Sequence, residues 1–179
     1  PYDQDTAFAP IGFMGAVPLI VAVNKDVKEK TLKELIDMAK AKPGFVTYAS
    51  ASTSQLVSGA MLAGMAGVEM VNVPYKSGPA AMTDLIGGQV MMFTADFAVT
   101  LPQIKNDKIR GLAVTSTKRS KAIPELPTVN EALGLTDYEL IAYFAAFAPA
   151  GTPKEIVLKL NQALNIAAND KGIQEKFAA

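Results

Sequence analysis

Short apolar runs alternate along most of this chain with segments whose apolar residues recur at helical spacing. The runs predict strands at 11–15, 19–24, 45–49, 70–73, 90–94, 109–115 and 139–148. The first two are predicted to be buried strands that Val17-Pro18 separates. Because strands and helices follow each other in turn, the pattern predicts an α/β fold with a parallel sheet and right-handed crossovers.

Capping signals mark where the helices begin. The spacing of a capping box recurs along the chain, in the pairs Thr31/Glu34, Ser52/Gln55 and Thr128/Glu131. The second pair opens a helix over 53–66, and Pro79 suits the first position of the helix that Gly87-Gly88 ends. Further helices are predicted near 97–105, from about 152 with an apolar inner face, and after 170.

The loops at the carboxyl ends of parallel strands form the binding edge of such a sheet. Here they are rich in hydroxyls and lead into helix N-termini, where backbone N–H groups have no partner within the helix. The N–H groups of Thr53, Ser54 and Gln55 are predicted to be free, with no acidic residue beside them. Such an edge suits a small carboxylate with an apolar body. The candidate ligand-binding residues are Ser50, Ala51, Ser52, Thr53, Ser54, Ser77, Asp96 and Phe97.

Each of these candidates also has an ordinary structural interpretation. The 50–54 loop fits a capped strand-to-helix turn with no ligand, Asp96 fits a helix cap, and Phe97 fits a core residue. Tyr75 and Lys76 are expected to be a packed phenol and a solvated amine. The residues alone leave these alternatives open.

Composition excludes several classes of function. Seventeen basic and seventeen acidic residues give a formal net charge of zero, which indicates no nucleic-acid partner. The chain has no cysteine and no histidine, so it supplies no thiol nucleophile, no Ser-His pair and no imidazole or thiolate metal ligand. We therefore expect a binding protein without enzyme activity, metal or cofactor. The uncharged stretch 6–24 is broken by prolines and glycines and is not a membrane span.

A series of short strings follows in order along nearly the whole chain. They are Leu32-Lys33-Glu34-Leu35-Ile36, Ala41-Lys42-Pro43-Gly44, Thr47-Tyr48-Ala49-Ser50, Val73-Pro74-Tyr75-Lys76, Leu85-Ile86-Gly87-Gly88-Gln89-Val90, Leu101-Pro102-Gln103-Ile104-Lys105, Leu112-Ala113-Val114-Thr115-Ser116, Pro127-Thr128-Val129 and Ala148-Pro149-Ala150-Gly151-Thr152-Pro153. In order and spacing this series resembles the extracytoplasmic solute receptors of tripartite tricarboxylate transporters, also called the Bug family.

The resemblance implies a periplasmic-binding-protein-like α/β fold with a mostly parallel sheet flanked by helices. Residues 20–140 would be ligand-binding domain two, 1–19 a hinge and domain-one segment, and 141–179 the return strand and helices of domain one. The chain would be a fragment that lacks the N-terminal part of domain one and the C-terminal end. The ligand loop departs from the family pattern, because it is shorter, has no glycine and carries Leu56 near the position of the usual histidine.

The function implied is that of a periplasmic receptor, monomeric when intact, that captures a small organic carboxylate. The ligand would be a di- or tricarboxylate or an aromatic acid, and the receptor would deliver it to membrane transporter subunits. Two alternatives stay open at this point: a ligand-binding sensor domain, and an enzyme on a similar two-domain scaffold. The absence of histidine, cysteine and paired acids on the binding edge argues against the enzyme.

Overall fold

The computed structural model describes residues 3 and 6–178, with side chains as far as residue 174. The strands in this part of the chain are β1 (Phe8–Asn24), β2 (Thr47–Ser50), β3 (Val71–Pro74), β4 (Met92–Asp96), β5 (Ile109–Val114) and β6 (Ile141–Pro149). The helices are α1 (Leu32–Ala41), α2 (Thr53–Ala66), α3 (Gly78–Ile86), α4 (Phe97–Lys105), α5 (Val129–Leu133), α6 (Lys154–Ala168) and α7 (Lys171–Ala178). Among them no helix is both long and apolar enough to cross a membrane.

The chain divides into two compact units. Residues 17–142 form the larger unit, and residues 1–16 with 143–179 form the smaller one. Strands β1 and β6 each run from one unit into the other. The assignment of 20–140 and of the flanking segments to two lobes of a receptor stays a prediction, and residues 1, 2, 4, 5 and 179 of those segments lie outside the described residues.

The sheet has the order β3-β2-β4-β1-β5, and β6 pairs with β1. Strand β2 is parallel to both β3 and β4, whereas β1 is antiparallel to both β4 and β5. The predicted α/β fold is confirmed, with strands β2 to β5 in one direction and β1 reversed among them. Periodicity could not reveal this reversal, because it depends on which distant strands lie beside β1.

Strand β1 is continuous, so the prediction of two strands separated at Val17-Pro18 is wrong. A proline fits the extended backbone and removes only one donor from the ladder. The prediction that 11–15 is buried is also wrong, since Phe13 and Met14 are exposed. The second half of β1, from Leu19 to Asn24, is fully enclosed between β4 and β5.

Two apolar layers cover the faces of the sheet in the larger unit. On β1, Leu19, Val21 and Val23 belong to the layer that α1, α2 and α5 complete. The alternate residues Ile20 and Ala22 belong to the layer on the other face, which α3 completes and against which α4 packs. Burial on both faces explains why this segment is a continuous apolar run rather than an alternating one.

The smaller unit leaves most of its apolar side chains exposed. Asn161 of α6 donates to the carbonyl of Ile11 at 2.6 Å, and the rings of Phe8 and Phe147 meet edge to face. The predicted inner face of α6 is only partly covered, since Val157, Leu164 and Ala167 are half-buried and no residue of this helix is fully buried in the described structure. Two strand segments and two helices offer too little surface to enclose it.

Close packing at one glycine sets the position of α2 on the sheet. A Cβ atom at Gly59 would lie only 2.3 Å from ring atoms of Tyr48, which is itself buried on β2. One residue earlier, Ser58 Oγ lies 3.0 Å from the hydroxyl of Tyr138. These buried contacts hold the helix directly over β2, and they thereby place its N-terminus at the carboxyl end of that strand.

We predict that Gly59→Ala destabilises the larger unit by about 1–3 kcal/mol, because the added methyl group has no room against the Tyr48 ring. Gly64→Ala in the same helix is the matched control, since nothing lies within 4 Å of its added Cβ. This control should be stabilised by as much as about 1 kcal/mol through helix propensity. Urea unfolding of both variants measures the difference, and equal stabilities would contradict the packing argument.

Candidate functional site

The candidate residues of the larger unit meet at one edge of the sheet. Strand β2 lies between β3 and β4 and is parallel to both, so the carboxyl ends of the three strands are neighbours. The loop after Ser50 therefore lies between the loop that carries Ser77 and the junction at Asp96 and Phe97. The strand order brings all the predicted site residues to this edge.

Ser50 is a structural link at the start of the predicted ligand loop. Its hydroxyl accepts a hydrogen bond from Nδ2 of Asn72 at 2.8 Å and lies 3.3 Å from Oδ1 of the same side chain. Its carbonyl accepts from the N–H of Tyr75 at 2.7 Å. Ser50 is buried, so these contacts connect β2 to β3 and use most of its hydrogen-bonding capacity.

The cap of α2 differs from a reciprocal capping box. Ser52 Oγ accepts from the N–H of Gln55 at 3.4 Å, so the prediction that this N–H is free is wrong. The Gln55 side chain reaches one residue further back than expected, and its Oε1 accepts from the N–H of Ala51 at 2.8 Å. Ser54 Oγ lies 3.1 Å from Ser52 Oγ. Hydrogen bonds within residues 51–55 therefore fix the conformation of this loop in the absence of a ligand.

Donors remain free at this helix N-terminus. The N–H groups of Thr53 and Ser54 have no acceptor among the described residues, and they occupy the first turn of a helix of 14 residues. The first turn has no acidic residue, and Thr53 is exposed to solvent. Such amides carry the positive end of the helix dipole and favour an anion.

Gln55 adds a donor that the sequence analysis missed. Because its Oε1 is held by the Ala51 N–H, the orientation of the amide is determined, and Nε2 has no recorded acceptor within the described residues. The side chain is buried, yet Nε2 is not fully enclosed, so it keeps some access to solvent. The capping-box spacing drew attention to Gln55 only as a cap.

The second helix N-terminus is more restricted. Ser77 Oγ accepts from the N–H of Ala80 at 3.4 Å, so its hydroxyl serves as the cap of α3. Pro79 removes one N–H from the first turn. A ligand that reaches Ser77 would therefore meet fewer donors than at Thr53 and Ser54.

Asp96 and Phe97 mark the junction of β4 and α4. Asp96 occupies the N-cap position of α4, as the cap interpretation expects, but its carboxylate makes no capping hydrogen bond. It is half-buried and pairs with Leu19 in the β1–β4 ladder. Phe97 is half-buried and packs against the core layer under α3. Whether Phe97 also contacts a ligand stays a prediction.

Tyr75 and Lys76 have the structural roles that the sequence favours. The Tyr75 hydroxyl donates to Oδ2 of Asp84 at 2.9 Å. The pKa of the phenol is raised, mainly by burial and also by the contact with Asp84. Lys76 is exposed. Their arrangement leaves Lys76 as a solvated positive charge near the edge and removes Tyr75 from the ligand candidates.

Thr94 is a buried polar residue of the same edge that does not belong to the predicted ligand-binding set. It lies on β4 two residues after Met92, on the sheet face that α2 covers, and its relative exposure is only 2%. Its Oγ1 has no hydrogen-bond partner in the described structure. A threonine inside an otherwise apolar strand was the available signal.

The arrangement provides hydrogen-bond donors without reactive groups. No cluster of three metal-ligating side chains occurs among the described residues. Uncharged amides and hydroxyls face the loop between β2 and α2, and one carboxylate, Asp96, lies at the end of the neighbouring strand. This chemistry suits the reversible binding of an anionic oxygen, with Asp96 able to accept a bond from a hydroxyl or protonated group.

We predict that Gln55→Glu preserves folding but weakens carboxylate binding at least about tenfold. The glutamate can still accept from the Ala51 N–H, and the positive end of the helix dipole offsets part of the cost of burying its charge. The change replaces the free Nε2 donor by an acceptor of like charge to the ligand. Calorimetric titration together with urea unfolding tests both parts, and unchanged affinity would remove Gln55 from the site.

Comparison with known proteins identifies the family. The model described as "Tripartite tricarboxylate transporter family receptor" matches residues 1–179. BugT of Bordetella pertussis is 35% identical over 183 residues, which cover 100% of this chain and 55% of BugT. The chain spans about half the length of the curated relatives it matches.

Solved structures agree in fold over nearly the whole chain. Rpa4515 of R. palustris, solved with adipate, superposes with a TM-score of 0.92 at 31% identity, covering 99% of this chain and 60% of that one. MatC from Rhodopseudomonas palustris, with bound malate, has a TM-score of 0.88 at 26% identity, covering 97% of this chain and 59% of its own. The chain belongs to the family of tripartite tricarboxylate transporter receptors, as its motifs predict.

Proposed function

We propose that this chain forms the ligand-binding part of a periplasmic receptor that captures a small organic carboxylate for a tripartite transporter. The receptor acts as a monomer, uses no cofactor and passes its ligand unchanged to membrane subunits. The free N–H groups of Thr53 and Ser54 carry the proposal, because they offer an anion two aligned donors at the positive end of a helix.

The free energy available from these donors is sufficient for a receptor. Charge-assisted hydrogen bonds contribute about 1.5–3 kcal/mol each, so the two amides supply about two to four decades of affinity. Gln55 Nε2 adds a third donor at the same loop. Because the donors are fixed by the cap and by the contact with Ala51, little order has to be created on binding.

A small dicarboxylate is the ligand class that we favour. Adipate and malate, which occupy two solved relatives, are both aliphatic dicarboxylates. One carboxylate would bind at Thr53 and Ser54, and the aliphatic body would lie toward Phe97. A tricarboxylate or an aromatic acid would make the same carboxylate contact at Thr53 and Ser54. These acids would differ from a dicarboxylate in the contact with Phe97, which would therefore determine the preference among them.

Two alternatives make different predictions. A sensor domain would bind a similar acid but would be joined to a signalling segment. A receptor gene would instead encode a cleavable signal peptide directly before the first strand of the full-length receptor. Reading the residues upstream of Pro1 separates these two cases. An enzyme would convert the acid, and incubation of the receptor with the bound acid followed by mass spectrometry would detect any product.

We predict that Thr53→Asp lowers the affinity for dicarboxylates by about two to four decades while folding is kept. The new carboxylate at the first turn is favoured by the helix dipole but competes for the N–H groups that hold the ligand. Thr53→Asn is the matched control, because it has nearly the same shape without the charge. Calorimetry on the full-length receptor measures affinity, and a Thr53→Asp variant that binds as tightly as the parent would contradict the site.

Replacing Phe97 by alanine should change the order of preference among acids of different length, because its ring would contact the ligand body. Carboxylate binding itself should persist, since Thr53 and Ser54 are unaffected. A panel of acids from succinate to suberate in a thermal-shift assay gives the ranking. An equal loss across the whole panel would instead show that Phe97 serves only the core, and Leu101→Ala, one turn later in α4, provides the comparison for a core loss.

A further inference from the structure

One buried threonine, Thr115, is hydrogen-bonded to β1 and to the residue that precedes β6, the two strands that run between the units. The N–H of Thr115 donates to the carbonyl of Leu19 at 3.0 Å, and its Oγ1 accepts from the N–H of Leu19 at 2.7 Å. The same Oγ1 donates to the carbonyl of Leu140 at 2.6 Å, and the carbonyl of Thr115 accepts from the N–H of Leu140 at 3.0 Å. Thr115 is completely buried, so no water replaces these contacts.

The two leucines bonded to Thr115 lie close to the two ends of the larger unit. The larger unit comprises residues 17–142, so Leu19 and Leu140 are each two residues from the point where the chain leaves it. One hydroxyl thus contacts segments that are 96 and 25 residues away in the sequence. Near the two points where the chain leaves the larger unit, β1 at Leu19 and the residue immediately before β6, Leu140, are therefore both bonded to Thr115.

The same contacts reach the proposed ligand edge. Leu19 pairs with Asp96 in the ladder between β1 and β4, and Phe97 follows immediately. A shift of β1 at Leu19 therefore displaces the junction that carries both predicted ligand contacts. Pro18 has no N–H and cannot donate a hydrogen bond. The next residue of β1, Leu19, donates its N–H to Thr115 Oγ1.

We propose that Thr115 is a positioning residue for ligand capture: it holds the two connecting strands in the arrangement that binds the ligand. The proposal rests on the proposed receptor function. The segment of β1 from Leu19 to Val23 then stays registered with β4, including Asp96. Without the hydroxyl, the strands occupy further arrangements, and the apparent affinity falls by the fraction of molecules that remain competent to bind.

The test compares three variants of the full-length receptor. Thr115→Val removes the hydroxyl at nearly constant shape, and Thr115→Ser keeps it. Thr100→Val is the matched control, because Thr100 is also completely buried in the larger unit but its hydroxyl has no partner in the described structure. Adipate binding is measured by calorimetry well below the melting temperature, so that only folded protein is compared, and amide hydrogen exchange is followed without ligand.

Thr115→Val should weaken adipate binding about tenfold or more and accelerate exchange of the Leu19 amide by a similar factor. The Val21 amide, deeper in the same strand, should stay protected. Thr115→Ser should restore both properties, and Thr100→Val should change neither. A merely structural role would lower the melting temperature but leave the affinity of the folded receptor unchanged, and that result would overturn the proposal.

The two levels of failure are distinguishable. If the wild-type receptor binds no organic acid, the proposed function fails, and the exchange measurement still decides whether Thr115 holds the strands. If the wild type binds adipate and Thr115→Val binds it equally well, only the positioning role fails. Exchange that increases throughout the larger unit, including Val21, would likewise overturn it, because the hydroxyl would then support folding in general.

Discussion

The enclosure of β1 between β4 and β5 is the constraint on which the rest of the larger unit depends. Its residues from Leu19 to Asn24 are buried on both faces of the sheet, and they form antiparallel ladders on both sides. At one end, Leu19 meets Asp96 and Thr115. At the other end, the buried Asn24 side chain donates to the last carbonyls of α3, at Leu85 and Ile86. Strand β1 thereby contacts the predicted ligand-binding edge at Asp96, the buried Thr115, and the C-terminal end of α3.

The proposed binding chemistry rests on backbone geometry rather than on charged side chains. Helix α2 packs closely on β2 because Gly59 has no side chain that would collide with the ring of Tyr48. This packing places the first turn of α2 at the carboxyl end of β2. Gln55 and Ser52 then use some of the loop donors and leave those of Thr53 and Ser54. An anion site made in this way needs no lysine or arginine, which is consistent with the zero net charge of the chain.

Local signals predicted the helices well, because capping and periodicity depend on residues that are close in sequence. The boxes at Thr31 and Thr128 form with both reciprocal hydrogen bonds. The direction of β1 and the contact of Gln55 with Ala51 were not predictable in this way, since each depends on a choice among partners that the pattern does not rank. The exposed apolar face of α6 shows the same limit, because helical spacing indicates which face is apolar but not what covers it.

The central claim is that the amides of Thr53 and Ser54 hold the carboxylate of the ligand. Proton–nitrogen correlation spectra of the full-length receptor, titrated with adipate, report on each amide directly. The account predicts that the Thr53 and Ser54 amide protons move downfield in a saturable manner as hydrogen bonds to the anion form, while the Gln55 amide, already bonded to Ser52 Oγ, moves less. Saturable binding that shifts other amides and leaves those of Thr53 and Ser54 unmoved would contradict it.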